Sequence, residues 1–266
     1  MNVHGALQNR LEVIETLMVN LNLGILVCTE TWMVNSQSLI GQSSFPILTS
    51  NAIAPDPQQP GHAKAGVAVI CNPNLHMLPQ LDFEDNEQGQ WIVVTLGDLR
   101  LAGMYLPPDS PLDHTFSVLG HLSAEYPDDL IIVGDFNAWQ QAWHDFVNNT
   151  QGNRVRLWME QNNLHCLSPS QGPYWTWTQT WTNDVGLVIH EMFSVNDSAF
   201  VSNSLAPRCH DYTIHHDENF FDSDHRLITF VVDDVQFDIA PPRSASPPWN
   251  SLPFCAWLFC LSATDK

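Results

Sequence analysis

Helix-covered, mixed β-sheets are the fold class this sequence predicts, and three observations predict it. Short apolar runs of strand length interleave with amphipathic helical stretches along most of the chain. Two of the runs meet around Gly97-Asp98 as a hairpin does, which rules out an all-parallel, doubly wound sheet. Several runs also stop abruptly on a polar side chain. LIIVGDFNAW (130–139) passes from four apolar residues through one glycine to Asp135 and Asn137.

The elements follow in order. Leu7, Leu11, Ile14, Leu17, Met18 and Leu21 recur at helical spacing, so an amphipathic helix is expected over 6–21. Gly24 ends the turn after it, and ILVCTE (25–30) and GVAVIC (66–71) read as buried strands. WIVVTLGDLRLAGMYLPP (91–108) reads as a hairpin stopped by Pro107 and Pro108. A helix over 112–125, a strand over 130–134 and a helix over 152–163 come next. Strand-like YWTWTQTW (174–181) and the strands VGLVIH (185–190) and HRLITFVVD (225–233) complete the set. Trp175, Trp177 and Trp181 share one face of an alternating stretch, and core packing is expected of them rather than base stacking. From Ala240, PPRSASPPWNSLP places five prolines in a short span. Proline removes backbone donors, so the domain is drawn at 1–239 and 240–266 is expected to be an irregular, Pro-rich tail.

Composition narrows the function classes. A 44% hydrophobic share with ten tryptophans suffices for a core in a chain of 266 residues. Twenty-nine acids against nine bases give a net charge of −20, with Lys64 and Lys266 as the lysines. That balance excludes a broad phosphate-tracking basic surface and suits acids that bind cations. The six cysteines form no CxxC pair, so free thiols in a reducing compartment are expected rather than structural zinc. His215-His216-Asp217 lacks regularly spaced further ligands for zinc. The N-terminus carries no apolar signal core, and LPFCAWLFCLSA (252–263) is about half of what spans a bilayer. A soluble, intracellular protein with no membrane partner is therefore expected.

Side chains alternate along a strand, so Asp135 and Asn137 project the same way, with Phe136 packing behind them. A carboxylate beside an amide suits hydrolysis: the acid takes a proton from water, and the amide orients that water without adding charge. A loop cap and a turn residue would also account for the pair. Further polar residues stand at other run ends. Glu30 ends CTETW (28–32), an oxygen ligand of the kind Mg2+ prefers, or else a helix-starting glutamate. Tyr105 ends the second hairpin strand, and Asp224-His225 opens the last one. Each is weak alone; together they point to one rim.

In this order NVHG (2–5), TETW (29–32), YLPP (105–108), GDFN (134–137) and SDH (223–225) resemble the endonuclease/exonuclease/phosphatase superfamily. Residues 148–177 look like the segment after GDFN in endonuclease domains of non-LTR (LINE-type) retrotransposons, and the resemblance covers roughly 2–233. It implies a four-layered α/β sandwich of two mixed β-sheets flanked by helices, and a phosphodiesterase dependent on Mg2+ (or Mn2+). Glu30 would bind the metal, supported by Asn2, and Asp224 would help place the metal or His225. Asp135 would align or deprotonate the attacking water and Asn137 would orient it. Tyr105 would hold the phosphate, His225 would stabilise the developing charge, and Arg226 would help bind substrate. An acid that pairs with the histidine is also implied. Asp184 is the candidate because it precedes a strand, with Asp211 and Asp217 as competitors.

Three departures accompany the resemblance. His4 stands where apurinic-type relatives have an acid. The family's apolar strand before the first asparagine is absent from this sequence, which would leave a sheet edge unpaired. TNDVGLVI replaces the family's pairing-acid segment. The leading expectation is a retrotransposon-derived DNA endonuclease domain, nuclear if it acts on chromosomal DNA and otherwise cytoplasmic. A phosphatase of the same fold acting on a small phosphoester and a catalytically inactive remnant are the alternatives. DNA is the expected partner, and no protein partner is inferable.

Overall fold

Buried strands whose two faces meet different neighbours build this molecule in layers. The computed structural model describes residues 7–35, 39, 41–55, 63–75, 79–85, 87–108, 113–216, 223–233 and 235, and the backbone of 256–261. Three α-helices are described: α1 (Leu7–Asn20), α2 (Asp113–Glu125) and α3 (Thr150–Gln161). The strands are β1 (Ile25–Thr29), β2 (Ile47–Thr49), β3 (Val67–Cys71), β4 (Gln80–Glu84), β5 (Trp91–Leu96), β6 (Leu99–Tyr105) and β7 (Leu130–Asp135). They continue with β8 (Leu164–Leu167), β9 (Trp177–Thr182), β10 (Val188–Ser194), β11 (Asp197–Ser202), β12 (Cys209–His215), β13 (Leu227–Val232) and β14 (Ala256–Leu261).

Two six-stranded sheets run in the orders β12-β13-β14-β1-β3-β2 and β4-β5-β6-β7-β11-β8, and β9 and β10 form a separate ribbon. Both large sheets are mixed. β6 and β7 are parallel while their other neighbours are antiparallel, and β14 is parallel to β1. Alternation explains why the interior strands read as unbroken apolar runs. From β1, Ile25 and Val27 face the other sheet, whereas Leu26 and Cys28 face α1 with its Leu7, Ile14 and Met18. From β7, Ile131 and Val133 enter the same inter-sheet core, whereas Leu130 and Ile132 meet α2 and α3. The layers are thus helix, sheet, sheet, helix, the four-layered sandwich expected. Each such side chain, fully buried, contributes about 1.5–3 kcal/mol.

The three expected helices form within two residues of their drawn limits, and the 91–108 hairpin forms in register, with Leu96 opposite Leu99. Two expectations need correction. The strand expected over 185–190 starts later, since β10 opens at Val188. The first residues of the apolar run make the tip of the β9–β10 ribbon, where Val185 is 85% and Ile189 64% exposed. The tail from 240 is not wholly irregular, since β14 arises within it. β14 also pairs with one edge of β1 while β3 pairs with the other, so β1 has no open edge of the kind the sequence led us to expect.

Candidate active site

Three adjacent strands of the second sheet deliver polar side chains to one level. In the β6–β7 register Tyr105 lies opposite Asp135, and in the β7–β11 register Asp135 lies opposite Asp197. The strands come this close at Gly134, where a Cβ would stand 1.9 Å from the Met104 carbonyl oxygen. No other residue fits there without parting β6 from β7. Asp135 is fully buried, and its Oδ1 accepts the Asn137 backbone N–H at 3.0 Å. Phe136 points away into the helix layer and meets Phe200 edge to face, as the alternation predicts.

Asn137 sits at φ +46°, a left-handed conformation that asparagine tolerates better than most residues. The conformation turns its amide back over the sheet edge. Its Nδ2 donates to the Leu106 carbonyl at 3.1 Å, and its Oδ1 accepts from Asn196 Nδ2 at 3.2 Å. One N–H and one lone pair remain for a ligand. Asn196 is itself fixed by Trp139 Nε1 and Ser194 Oγ, both donating to its Oδ1 at 2.9 and 2.6 Å. Asn149, the N-cap of α3, accepts from Gly152 N and Trp139 N and donates to the Asn137 carbonyl. The amide therefore reaches the rim already oriented.

His225 completes the buried group. Its Nδ1 and Asp197 Oδ2 are 2.7 Å apart, and both side chains are wholly shielded from solvent. The loop bearing the histidine is held by its N–H donating to Ser223 Oγ and by a bridge to Trp177. Thr176 Oγ1 accepts from the backbone N–H groups of both Asn196 and Asp197, which ties the two acceptor residues together. Burial works to lower the imidazole pKa. The Asp197 charge and hydrogen bond, then the charges of Asp135 and Asp224, outweigh it and hold the pKa above its ordinary value. Asp224 turns aside to accept from Trp177 Nε1 at 3.1 Å. Arg226 lies next to it with its guanidinium 5.1 Å over the Trp175 ring; burial lowers its pKa, and it stays protonated at neutral pH.

Glu30 arrives from the first sheet. It follows β1 directly, has φ +50° and is 6% exposed. Its loop is pinned by Thr31 N–H and Trp32 N–H donating to the carbonyls of Gly66 and Ala65. Glu30 lines a cleft of about 370 Å³ together with Tyr105, Asn137, Trp32, Lys64 and Gln90. Asn137 joins this cleft to the Asp135–Asp197–His225 group beneath it. No three His, Cys, Asp or Glu side chains converge into a closed metal cage among the described residues. The donors that line the cleft are oxygens with one buried carboxylate, a set that fits Mg2+, which keeps most of its waters and takes few protein ligands.

Most of the predicted residues thus meet. Glu30, Tyr105 and Asn137 share the cleft, and Asp135 and Asp224 lie close enough to His225 for their charges to act on it. Asn2 lies outside the described residues. Asp184 does not belong: it is exposed at the tip of the β9–β10 ribbon, and the acid that pairs with His225 is Asp197. Of the competitors, Asp211 is exposed beside His210 at 3.1 Å, and Asp217 lies outside the described residues. The sequence held a signal for Asp197. In SVNDSAFVS (194–202) an Asn-Asp pair heads a short apolar strand, as GDFN ends one. Lys64, Trp32 and Gln90 were also missed as cleft residues, since no motif includes Lys64 or Gln90.

Comparisons with known proteins agree with this architecture. A family profile described as "Endonuclease-reverse transcriptase" matches residues 99–229, from β6 to β13. No curated protein sequence matches the chain. The endonuclease domain of TRAS1, a telomere-specific non-LTR retrotransposon, superposes with TM-score 0.62 at 18% identity, covering 87% of this chain and 95% of that one. An AP endonuclease from Archaeoglobus fulgidus gives 0.63 at 15%, covering 88% and 97%. A 3'-5' exonuclease from Neisseria meningitidis gives 0.58 at 18%, covering 85% and 94%. The chain thus shares the fold of these nucleases, and its stretch from β6 to β13 is similar to the profiled endonuclease family.

Proposed function

We propose that the chain is a Mg2+-dependent phosphodiesterase that nicks DNA, an endonuclease domain of the non-LTR retrotransposon kind. The observation that supports this best is the buried Asp135–Asp197–His225 group at the foot of a cleft lined by Glu30, Tyr105 and Asn137. Asp135 takes up the proton of the attacking water, and Asn137 orients that water with its remaining N–H or lone pair. The Tyr105 hydroxyl donates to a phosphate oxygen. His225 faces the charge that develops on the phosphoryl group as an imidazolium, because Asp197 keeps it protonated above the ordinary histidine range. Arg226 and Lys64 add positive charge for the substrate. Glu30 would hold Mg2+, which would supply charge to the phosphate oxygens.

The test is nicking of supercoiled plasmid with Mg2+, with and without EDTA. Asp135→Ala and His225→Ala should each lower the rate at least about 100-fold, the usual loss for a general base or a charge-stabilising donor. Equal nicking by wild type and both variants would refute the assignment. A small phosphoester is the second reading, favoured by the net charge of −20 and by the scarcity of lysine. Steep loss of rate with salt selects DNA, and near-indifference to salt selects the small ester.

A further inference from the structure

β14 stands between the two strands of the first sheet that carry site residues. Glu30 directly follows β1, and His225 precedes β13 by two residues. β14 pairs parallel with β1 through Val27↔Cys260 and Cys28↔Leu261. It pairs antiparallel with β13 through five registers, from Ile228↔Cys260 to Val232↔Ala256. Its C-terminal end thus lies at the rim, level with the end of β1 and the start of β13. The spacing between those strands is two ladder steps, about 9–10 Å, and β14 sets it.

The connection to β14 is unusual. Val232 and Ala256 are direct partners, so two to five residues would suffice to join them as a hairpin. Residues 233–255 join them instead, 23 residues with the run PPRSASPP among them. That is several times the number of residues the closure requires. The segment itself, AWLFCL, has no polar side chain except a thiol, the composition of an interior strand and not of an edge. The slot matches it. β1 and β13 are buried along their whole length, so an empty slot would leave two rows of interior N–H and C=O groups without partners.

We propose that the space between β1 and β13 is a strand-acceptor site, occupied in cis by residues 256–261, and that docking of this apolar segment assembles the Glu30 side of the cleft beside His225. The segment is a clasp: in place, it fixes the two sheet positions from which those residues reach the rim; withdrawn, it parts them. The topology also fixes where else in the chain the strand would serve. α1 precedes β1 and runs back across it, so a strand parallel to β1 and joined ahead of α1 would enter the same slot as the first member of a β–α–β unit.

Hydrogen–deuterium exchange on the full chain tests this, read at residues 25–29 and 227–232, with 131–135 of the second sheet as the internal reference. Leu258→Pro removes a ladder donor in mid-strand. It should speed exchange of β1 and β13 at least tenfold and lower plasmid nicking in parallel, while 131–135 stay protected. Unchanged protection of β1 and β13 in that variant would overturn the proposal. Should the variant unfold, 131–135 lose protection too, and a rearranged chain decides: residues 251–266 moved ahead of Met1. That chain should protect β1 and β13 as the wild type does, and loss of protection there overturns the docking. Protection that rises with protein concentration would show strand exchange between copies and overturn docking in cis. The exchange readout is independent of catalysis, so a wild type that fails to nick defeats the proposed function and leaves the clasp standing.

Discussion

Two neighbouring segments of this chain, VGLVI at the head of β10 and NDSAFV at the head of β11, exchange the places their hydropathy suggests. The first is almost wholly apolar and lies exposed at a ribbon tip. The second begins with an amide and a carboxylate and is buried throughout β11. The difference lies in the partners. β11 is flanked by β7 and β8 and backed by α3-side aromatics, with Phe200 against Phe136 and Trp143. Among the described residues the ribbon is a single two-stranded ladder with an exposed tip. Burial follows from how many neighbours a strand acquires, and a strand with neighbours on every side can also hold polar residues at its end in a fixed place. The sharpest way to break this comparison is by stability. Phe200→Ala should cost about 3–5 kcal/mol in denaturant unfolding. Ile189→Ser, although it is the larger drop in side-chain hydropathy of the two, should stay within about 0.5 kcal/mol. Similar costs at both sites would mean that the ribbon tip is packed after all.

The same contrast applies to two aspartates, and here it concerns catalysis. Asp184 and Asp197 each precede an apolar run, yet Asp197 alone touches His225. Asp197→Asn should lower nicking about tenfold or more, part of the 10²–10⁴ that a positioned acid or base contributes. Asp184→Asn should leave the rate unchanged, and a comparable loss in both variants would contradict the assignment. The pH profile separates orientation from charge. His225 has a raised pKa in the folded chain, so the stabilisation from its pairing is present below the unfolded value, about 6.5, and is lost as pH rises through the folded one. Replacing the carboxylate by an amide removes the strongest influence raising that pKa and leaves burial, which lowers it. The alkaline limb of the rate profile should therefore move to lower pH in Asp197→Asn. A limb that stays in place would assign Asp197 to orientation alone.

These contrasts also show what could be read from the sequence. Layers were legible because the apolar runs of β1, β5, β6, β7 and β13 and the helical spacing of α1 are local patterns. Glu30, Tyr105, Asp135, Asn137 and His225 were legible because each sits within a short motif at the end of an apolar run. Asp197 was not, because no motif of the resemblance includes it and the more apolar VGLVI upstream competed for the same role. β12 mixes exposed and half-buried residues and shows no uniform apolar run, and the apolar run of β14 lies beyond a proline-rich stretch that set it apart from the domain. Lys64 was noticed only as a rarity in composition. Its place in the cleft depends on a bridge between Ile53 and Lys64, a long-range pairing that no local pattern encodes.

Lys64 supplies the smallest expected effect and the finest test of substrate. The bridge fixes its backbone through two hydrogen bonds, of 2.8 and 2.9 Å, next to the Ala65–Gly66 segment that holds the Glu30 loop. Its side chain is exposed and lines the cleft. In a chain of net charge −20, a cation whose backbone is anchored in the same cleft as the proposed metal ligand is well placed to meet one phosphate. Each phosphate neutralised by a cation adds roughly 0.7–0.9 to the slope of log affinity against log salt. Lys64→Ala should therefore reduce that slope for a DNA duplex by about one while weakening binding evenly across sequences. The rate at saturating DNA should hardly change, because the ammonium touches no reacting atom. An unchanged slope would place the DNA elsewhere on the surface. An unchanged slope together with weaker turnover of a small phosphoester would turn the cleft toward the second substrate class.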